Sequence, residues 1–309
     1  MQRVSEGIKE MTALENPYII FNPSANCGKS ARVLAVLVEF LEIRNINYAL
    51  KQTQGKYNAT EIVKDIMKNA APDKEVNIII VGGDGTIFEA VNGLDSGNNA
   101  VLGIIPAGTG NDVARTLGIP KNPRKAAELL VQNRAIYADV AEINGGLKSA
   151  LFVSYGIAAE IVLGMAKLKR KSRLSYFASM LRSVAGFSPK RIKIRIDDEE
   201  QERIYNAEFL SVHNCVYAGG GMYLAKNAKM NDGYLDLVIV EYRSGFRRVL
   251  NIISILCKKL HNQPNFSTLS FRKIEMISPD ENRCVIDGEI HEFNNLQIRV
   301  IPGFVKILY

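Results

Sequence analysis

VNIIIVGGDGTIFEAVNG, residues 76–93, reads as a strand, a tight turn and a helix with no linker between them. Residues 76–81 are apolar and mostly β-branched, apart from Asn77, which suits a strand buried on both faces. Gly82-Gly83-Asp84-Gly85-Thr86 turns the chain, and a helix follows through Leu94. The unit repeats to either side. Tyr18–Phe21 reads as a buried strand, and Val33, Leu34, Leu37, Phe40 and Leu41 recur at helical spacing. A short strand is expected over 48–50, then a helix carrying Ile62, Val63 and Ile66 behind an Asn58/Glu61 capping box. Residues 101–105 give a further strand, and Asn122-Pro123 reads as N-cap and first residue of a helix through Gln132. Such alternation predicts an α/β domain with a mostly parallel sheet and helices on both faces.

Beyond Ala135 the pattern changes. Runs at 148–155, 191–196, 207–213, 235–240, 271–277 and 296–301 succeed one another with turn residues between them, as in an antiparallel β-rich domain. Two helix-like stretches interrupt them, at 160–187 and 246–260. The expected division is an α/β domain over 1–138, to which a tail at 302–309 returns, and a β-rich domain over 139–301.

The 309 residues are 47% hydrophobic, enough for a large core, while 23% charged content argues against disorder. Thirty-nine Lys and Arg against 32 Asp and Glu give a net charge of +7, which suits a phosphate ligand, an anionic membrane or nucleic acid. Nucleic acid is the poorer partner, because no recognised binding module accompanies the charge. Cys27, Cys215, Cys257 and Cys284 show no paired spacing and the three histidines are scattered, so neither a zinc site nor a disulfide framework is indicated. With no apolar core near residue 1, and no window of about 18 uninterrupted apolar residues, the expected setting is the cytoplasm, with peripheral contact at the inner membrane face left open.

The chemistry gathers where the strands of the first half end. Asn22–Gly28, Gly82–Thr86 and Ala107–Asp112 each follow a predicted strand, along the edge where open parallel sheets bind ligands. FNPSANCGKS (21–30) imitates the end of a P-loop, but Pro23 stands where that loop needs a glycine and an N–H. Asp84 and Asp112 would repel a phosphate unless a hard cation such as Mg²⁺ lay between them, which favours a nucleoside triphosphate as ligand.

GGDGT at 82–86 with PAGTGNDVAR at 106–115 resembles the diacylglycerol kinase catalytic-domain family, specifically its soluble bacterial lipid kinases. Asn22, Pro23 and Gly28 match that family's first phosphate loop, and Gly219-Gly220-Gly221, Asp232–Asp236 and Asp287-Gly288-Glu289 carry the likeness toward the C-terminus. The resemblance implies an NAD kinase/phosphofructokinase-like α/β domain, a C-terminal β-sandwich, and a cleft between them. It further implies ATP held by Asn22, Pro23, Ser24, Ala25, Asn26, Thr53, the turn Gly82, Gly83, Asp84, Gly85, Thr86, Ile87 and Phe88, and Thr109. Glu289 would take the proton from a lipid hydroxyl, and Asp84 and Asp112 would organise the catalytic Mg²⁺ and the phosphates. Asp232 with the carbonyls of Lys229 and Tyr234 would hold a second, structural Mg²⁺.

Read without the resemblance, residues 285–290 are a β-hairpin with an Asp-Gly turn and Glu289 a solvated turn residue. Asn26 stands where the family's loop has glycine, and asparagine tolerates the left-handed conformation. Ala158, Glu160 and Lys226 also depart from the family pattern. Lys167, Lys169, Arg170, Lys171, Arg173, Arg182, Lys190, Arg191, Lys193 and Arg195, interleaved with apolar residues, read equally as a lipid-docking segment or a solvated face. The expected activity is ATP- and Mg²⁺-dependent phosphorylation of a hydroxyl on diacylglycerol or a related lipid. An NAD kinase-like enzyme and a catalytically silent nucleotide- or membrane-binding protein are the rivals, and a homodimer is left open. Lys29, set at a helix start and not on a P-loop, predicts that Lys29→Ala retains kinase activity within about twofold, since surface substitutions cost little; a collapse in a phosphate-transfer assay would restore the P-loop reading.

Overall fold

The computed structural model describes residues 14–132, 134–166, 182–183, 186–197, 199–245, 247–277 and 283–309. Its first half runs β1 (Tyr18–Phe21), α1 (Ser30–Ile43), β2 (Ala49–Gln52), α2 (Asn58–Lys68), β3 (Val76–Gly82), α3 (Asp84–Asn92), β4 (Ala100–Pro106), α4 (Asp112–Thr116) and α5 (Pro123–Leu130). Strand β1 pairs in parallel with both β2 and β3, and β3 in parallel with β4. Ile19, Ile20, Ile78, Ile79, Ile80, Leu102 and Ile104 are buried, as strands covered on both faces require. Helix α1 packs with α5, and α2 with α3.

The second half begins with β5 (Ala135–Ile143), β6 (Leu147–Ser149), β7 (Phe152–Gly156) and α6 (Ile157–Ala166). It continues through β8 (Lys190–Ile196), β9 (Arg203–His213), β10 (Tyr217–Ala218), β11 (Met222–Tyr223), β12 (Leu235–Glu241) and α7 (Arg247–Leu256). Strands β13 (Phe266–Phe271), β14 (Lys273–Ile277), β15 (Arg283–Ile286), β16 (Glu289–Glu292) and β17 (Asn295–Leu308) complete it. Pairings among β7, β8, β9, β12, β13, β14, β15 and β16 are all antiparallel. Tyr155, Ile192, Ile194, Leu210, Val212, Leu237, Ile239, Phe271, Ile274 and Ile286 fill their common core. Strand β17 joins the halves, pairing antiparallel with β14 and β5 and, at Lys306–Leu308, parallel with β4. The architecture is an α/β layer with a parallel sheet, followed by a β-sandwich-like domain.

Several local expectations change. Asn58 does not close a capping box: Tyr57 occupies the cap, at φ 62°, and the Asn58 Oδ1 accepts from the Gln54 N–H at 3.0 Å. The strand expected over 148–155 is two strands, because Ala150 and Leu151 turn their N–H groups onto the Asp287 carboxylate. The end of the basic run is a strand face: Ile192, Ile194 and Ile196 point inward, while Arg195 pairs with Glu275 (3.1 Å) and Glu202 (3.3 Å) and Lys193 with Glu202 (3.6 Å). Lys193 and Arg195 thus lie on a solvated strand face, paired with carboxylates; positions 167–173 of the run lie outside the described residues. Asn122 caps α5 as expected, accepting from Lys125 N–H at 3.1 Å.

Helices α2 and α3 touch through Gly93, where an added Cβ would meet the Thr60 carbonyl oxygen and Val63 Cβ, each at 2.7 Å. Two bonds to Glu89 hold the same contact, its carbonyl accepting from Thr60 Oγ1 at 2.7 Å and its carboxylate from Ala59 N–H at 3.0 Å. Gly93→Ala should therefore cost about 1–3 kcal/mol of stability, read as a lower Tm with an unchanged KM for nucleotide.

Candidate active site

The first turn is shaped by residues that cannot all be ordinary. Asn26 and Cys27 sit at φ 51° and 56°, and Gly28 at φ 84°. Three consecutive left-handed residues coil the loop into a compact turn, so Asn26 adopts the conformation in which glycine is the default residue. Ser30, fully buried, donates to the carbonyls of Asn22 (2.9 Å) and Pro23 (3.1 Å) and thus ties the loop to the start of α1. Lys29 is exposed. Asn22 Nδ2 donates to Thr86 Oγ1 at 3.0 Å, joining the first turn to the second.

The second and third turns meet backbone to backbone. A Cβ on Gly108 would lie 2.4 Å from Gly83 Cα, and one on Gly83 would lie 3.0 Å from Gly108 Cα. No side chain fits between them, which is the physical need for glycine in both motifs. Asn111, at φ 55°, closes the third turn by accepting from Gly108 N–H (2.9 Å) and donating to its carbonyl (2.8 Å). Asp84 begins α3 and its Oδ1 accepts from the N–H groups of Asp112 (2.8 Å) and Val113 (3.2 Å). Gly83–Gly85 and the start of α3 present the N–H groups that a helix N-terminus leaves unbonded, a ready anion site.

Asp112 then crosses to the second domain. Its Oδ2 accepts from Gly220 N–H at 2.7 Å, within a run of left-handed glycines at 219–221, while Arg115 lies 3.6 Å from its Oδ1. Burial pushes the carboxyls of Asp84 and Asp112 upward, and for Asp84 the neighbouring Asp112 charge adds to this. Asp112 Oδ1 is buried without a hydrogen bond. A half-buried and a buried carboxylate side by side, one with an oxygen that has no hydrogen bond and only the Arg115 ion pair, are chemically suited to a divalent cation.

Asp232 is exposed, and its Oδ1 accepts from Tyr234 N–H at 3.1 Å. Asp139, beside it, is occupied on both oxygens by Gly233 and Gly303 N–H groups, each at 2.7 Å. Burial raises the carboxyls of Asp139 and Asp236, and the charge of Asp232 contributes to each. Among the described residues no three His, Cys, Asp or Glu side chains gather to hold a metal. A cation at this turn would thus rest on Asp232 and main-chain oxygens, a hard oxygen set that fits Mg²⁺ or Ca²⁺.

Glu289 opens β16, one residue beyond a turn with Asp287 at φ 47° and Gly288 at φ 95°. Asp287 is the residue that sequence reasoning passed over as a turn former. Its carboxylate accepts from Ser149 Oγ (2.5 Å) and from the N–H groups of Ala150 (2.9 Å), Leu151 (3.2 Å) and Phe152 (2.9 Å). The hairpin is thereby fixed to the sheet and Glu289 to the cleft, where Lys56 and Tyr57 of the first domain reach it. Neither Lys56 nor Tyr57 carried any sequence signal.

Of the other nucleotide-side candidates, Thr53 is buried with its N–H on the Phe21 carbonyl at 2.9 Å, and Thr109 is exposed. Pro23 and Ala25 are half-buried, Ser24 is exposed, and Gly82 is packed against Thr86. Ile87 and Phe88 are buried in the core, so only their main chain could meet a ligand.

Behind Gly288 and Gly219 opens a cavity of about 320 Å³ walled by Phe152, Ile157, Ile161, Phe209, Met222 and Leu260. Ala158, one of the departures from the family pattern, lines it too, whereas Glu160 pairs with Arg283 at 2.8 Å. Of the polar groups in the wall, Arg248 and Asn251 both donate to Glu208, at 2.9 and 3.2 Å, and the Ser154 hydroxyl bonds that of Ser211.

Glycine turns on the ends of a parallel sheet, facing an apolar cavity and an acidic hairpin across a cleft, define a kinase that acts on lipid. The chain belongs to the diacylglycerol kinase family: residues 16–143 match the diacylglycerol kinase catalytic domain, and 152–309 the YegS C-terminal NAD kinase beta sandwich-like domain. It is 27% identical over 280 residues to the diacylglycerol kinase of Bacillus subtilis (strain 168), covering 88% of each chain. It is 30% identical over 290 residues to "Probable lipid kinase YegS" of Escherichia coli O1:K1 / APEC, covering 90% of this chain and 92% of the relative. A candidate diacylglycerol kinase of Bacillus anthracis str. Sterne, of known structure, superposes with a TM-score of 0.77 at 29% identity over 96% of this chain and 97% of its own. No helix among the described residues is long and apolar enough to cross a membrane.

Burial pushes the Asp287 carboxyl up to about 6, against four donors that favour the anion. A folded carboxyl that titrates above its unfolded value takes up a proton on folding. Its stabilising contribution is therefore full below the ordinary value of 3.8 and is lost as pH rises through about 6. Asp287→Asn should abolish that decline in a pH series of denaturant unfolding. It should also lose about 1–3 kcal/mol overall, because its amide N–H₂ faces donors.

Proposed function

We propose that the protein transfers the γ-phosphoryl group of ATP, with Mg²⁺, to a hydroxyl of diacylglycerol or a closely related lipid. The observation that carries this reading is the cavity of about 320 Å³ that Gly288, the residue before Glu289, helps to line. Its wall is mostly apolar and its few polar side chains are already hydrogen-bonded within the protein, so it suits acyl chains and offers little to a sugar, a base or a nicotinamide. Leu250 and Ile253 are 39% and 44% exposed on α7, whose other face walls the cavity, and Lys258 and Lys259 follow them. Apolar residues beside basic ones suit peripheral contact with an anionic lipid surface.

On this reading, the turn at Asn22–Gly28 and the N–H groups of Gly83–Gly85 cradle the phosphates, with Thr53 and Thr109 flanking the nucleotide. Asp84 and Asp112 would hold the catalytic Mg²⁺, which when bound supplies charge neutralisation to the phosphates. Asp232 with the carbonyls of Lys229 and Tyr234 would hold a structural one. Glu289 takes the proton of the lipid hydroxyl as its oxygen bonds to the γ-phosphorus and the bridging oxygen leaves with ADP. Removing a general base typically costs 10²–10⁴-fold. Transfer of labelled phosphate from ATP to a whole lipid extract, read by mass spectrometry, should therefore fall by about 10²-fold or more in Glu289→Gln. Equal turnover by wild type and variant would remove Glu289 from the mechanism, and turnover of NAD with no lipid product would replace the lipid reading.

A further inference from the structure

Lys56 and Tyr57 lie in the loop between β2 and α2, which begins at Thr53 on the proposed nucleotide edge. Both side chains cross the cleft to the same oxygen of Glu289. Tyr57 Oη donates to Glu289 Oε2 at 2.8 Å, and Lys56 Nζ lies 3.1 Å from that oxygen. The Glu289 side chain is only 21% exposed there, and Lys56 Nζ also sits 4.7 Å from the centre of the Tyr57 ring.

An ion pair with a lysine 60% exposed is on its own worth little. Three features separate this one from a chance surface pair. Tyr57 and Glu289 are 232 residues apart, and both donors come from a different domain than Glu289. Two donors converge on one carboxylate oxygen, and neither uses Oε1. Tyr57 holds a left-handed backbone at φ 62°, an uncommon state for an aromatic residue, and the Gln54–Asn58 bond braces the loop in that shape. Strain of this kind persists where the surroundings over-determine it, most often at functional sites.

We propose that Lys56 and Tyr57 are positioning residues for the phosphoryl-transfer step. Together they fix Oε2 of Glu289 and leave Oε1 to face the acceptor hydroxyl. The inference rests on the reading of Glu289 as the base. Neither residue exchanges a proton: the hydroxyl proton passes to Oε1, the new oxygen–phosphorus bond forms, and the bond to the ADP oxygen breaks. Because the clamp comes from the loop that starts at Thr53, the position of the base depends on the first domain.

Steady-state kinetics with ATP and a dispersed lipid extract, alongside thermal unfolding, test this on the full chain. Tyr57→Phe and Lys56→Ala should each lower kcat about tenfold, with KM for ATP within about twofold and Tm unchanged, since misplacing a reacting group affects turnover before binding. Lys56→Arg should recover most of the loss. On the residual rate of Glu289→Gln, adding Lys56→Ala should change nothing, because residues that act as a unit are not additive. Wild-type kcat in both single variants, with Glu289→Gln inactive, would overturn the clamp and leave Glu289 as base. A raised KM for ATP alone would make Lys56 a nucleotide contact, and a raised kcat would make the pair a latch; each result overturns the proposal. Full activity of Glu289→Gln would remove the base and the clamp together.

Discussion

Strand β17 is the constraint on which the two-domain arrangement depends. Its first residues pair with β14 in the sandwich, its middle and end with β5, and Lys306–Leu308 lie parallel to β4 in the α/β sheet. One strand with partners in both halves cannot slip by a residue without moving buried side chains to the wrong face in both. Leu296, Ile298, Phe304, Val305, Ile307 and Leu308 are the buried set that fixes this register. The hairpin bearing Glu289 ends only a few residues before β17 begins, so the same register returns the far end of the sequence to the strand ends of the first domain.

Buried and half-buried carboxylates do the finer alignment. Asp84 accepts from the start of α4, Asp112 from Gly220, Asp139 from Gly233 and Gly303, and Asp287 from residues 149–152. In each case an anion is taken from water and repaid by donors from a different segment, most of them backbone N–H groups. Burial raises all four carboxyls, so the bonds compensate the desolvation only in part. Such contacts specify position more than they add stability, because removing one partner leaves a buried group unpaired. They occur where one loop must be registered on another.

The fold was legible because β1, β3 and β4 are nearly unbroken apolar runs and the later strands alternate, as Arg191–Ile196 does. The three glycine turns were legible as well, since a turn between a buried strand and a helix must use residues of unusual backbone freedom. Asp287 was not legible as an anchor: Asp-Gly in a hairpin needs no other explanation than its turn, and its partners lie over 130 residues away. Lys56 and Tyr57 were hidden for a similar reason. A lysine beside a tyrosine has no local pattern, and their partner is brought to them only by the path of β17. Asn58 misled in the opposite direction, because its capping signature is real but its side chain serves the loop before the helix.

The glycines at 219–221 connect the two sides of the cleft most directly. Gly219 lines the apolar cavity, Gly220 donates to Asp112, and Arg115 lies where a Cβ on Gly221 would come within 3.2 Å. Asp112 in turn gives its own N–H to Asp84, which begins the helix whose N-terminus faces the first turn. From the cavity wall to the proposed phosphate edge there are thus two hydrogen bonds, each accepted by a carboxylate side chain. An ideal Cβ at 219, where φ is 61°, would lie 2.4 Å from Met222 Cε, the movable end of a side chain that also lines the cavity. On the proposed function, the lipid cavity and the phosphate edge would lie on either side of this carboxylate-bridged link.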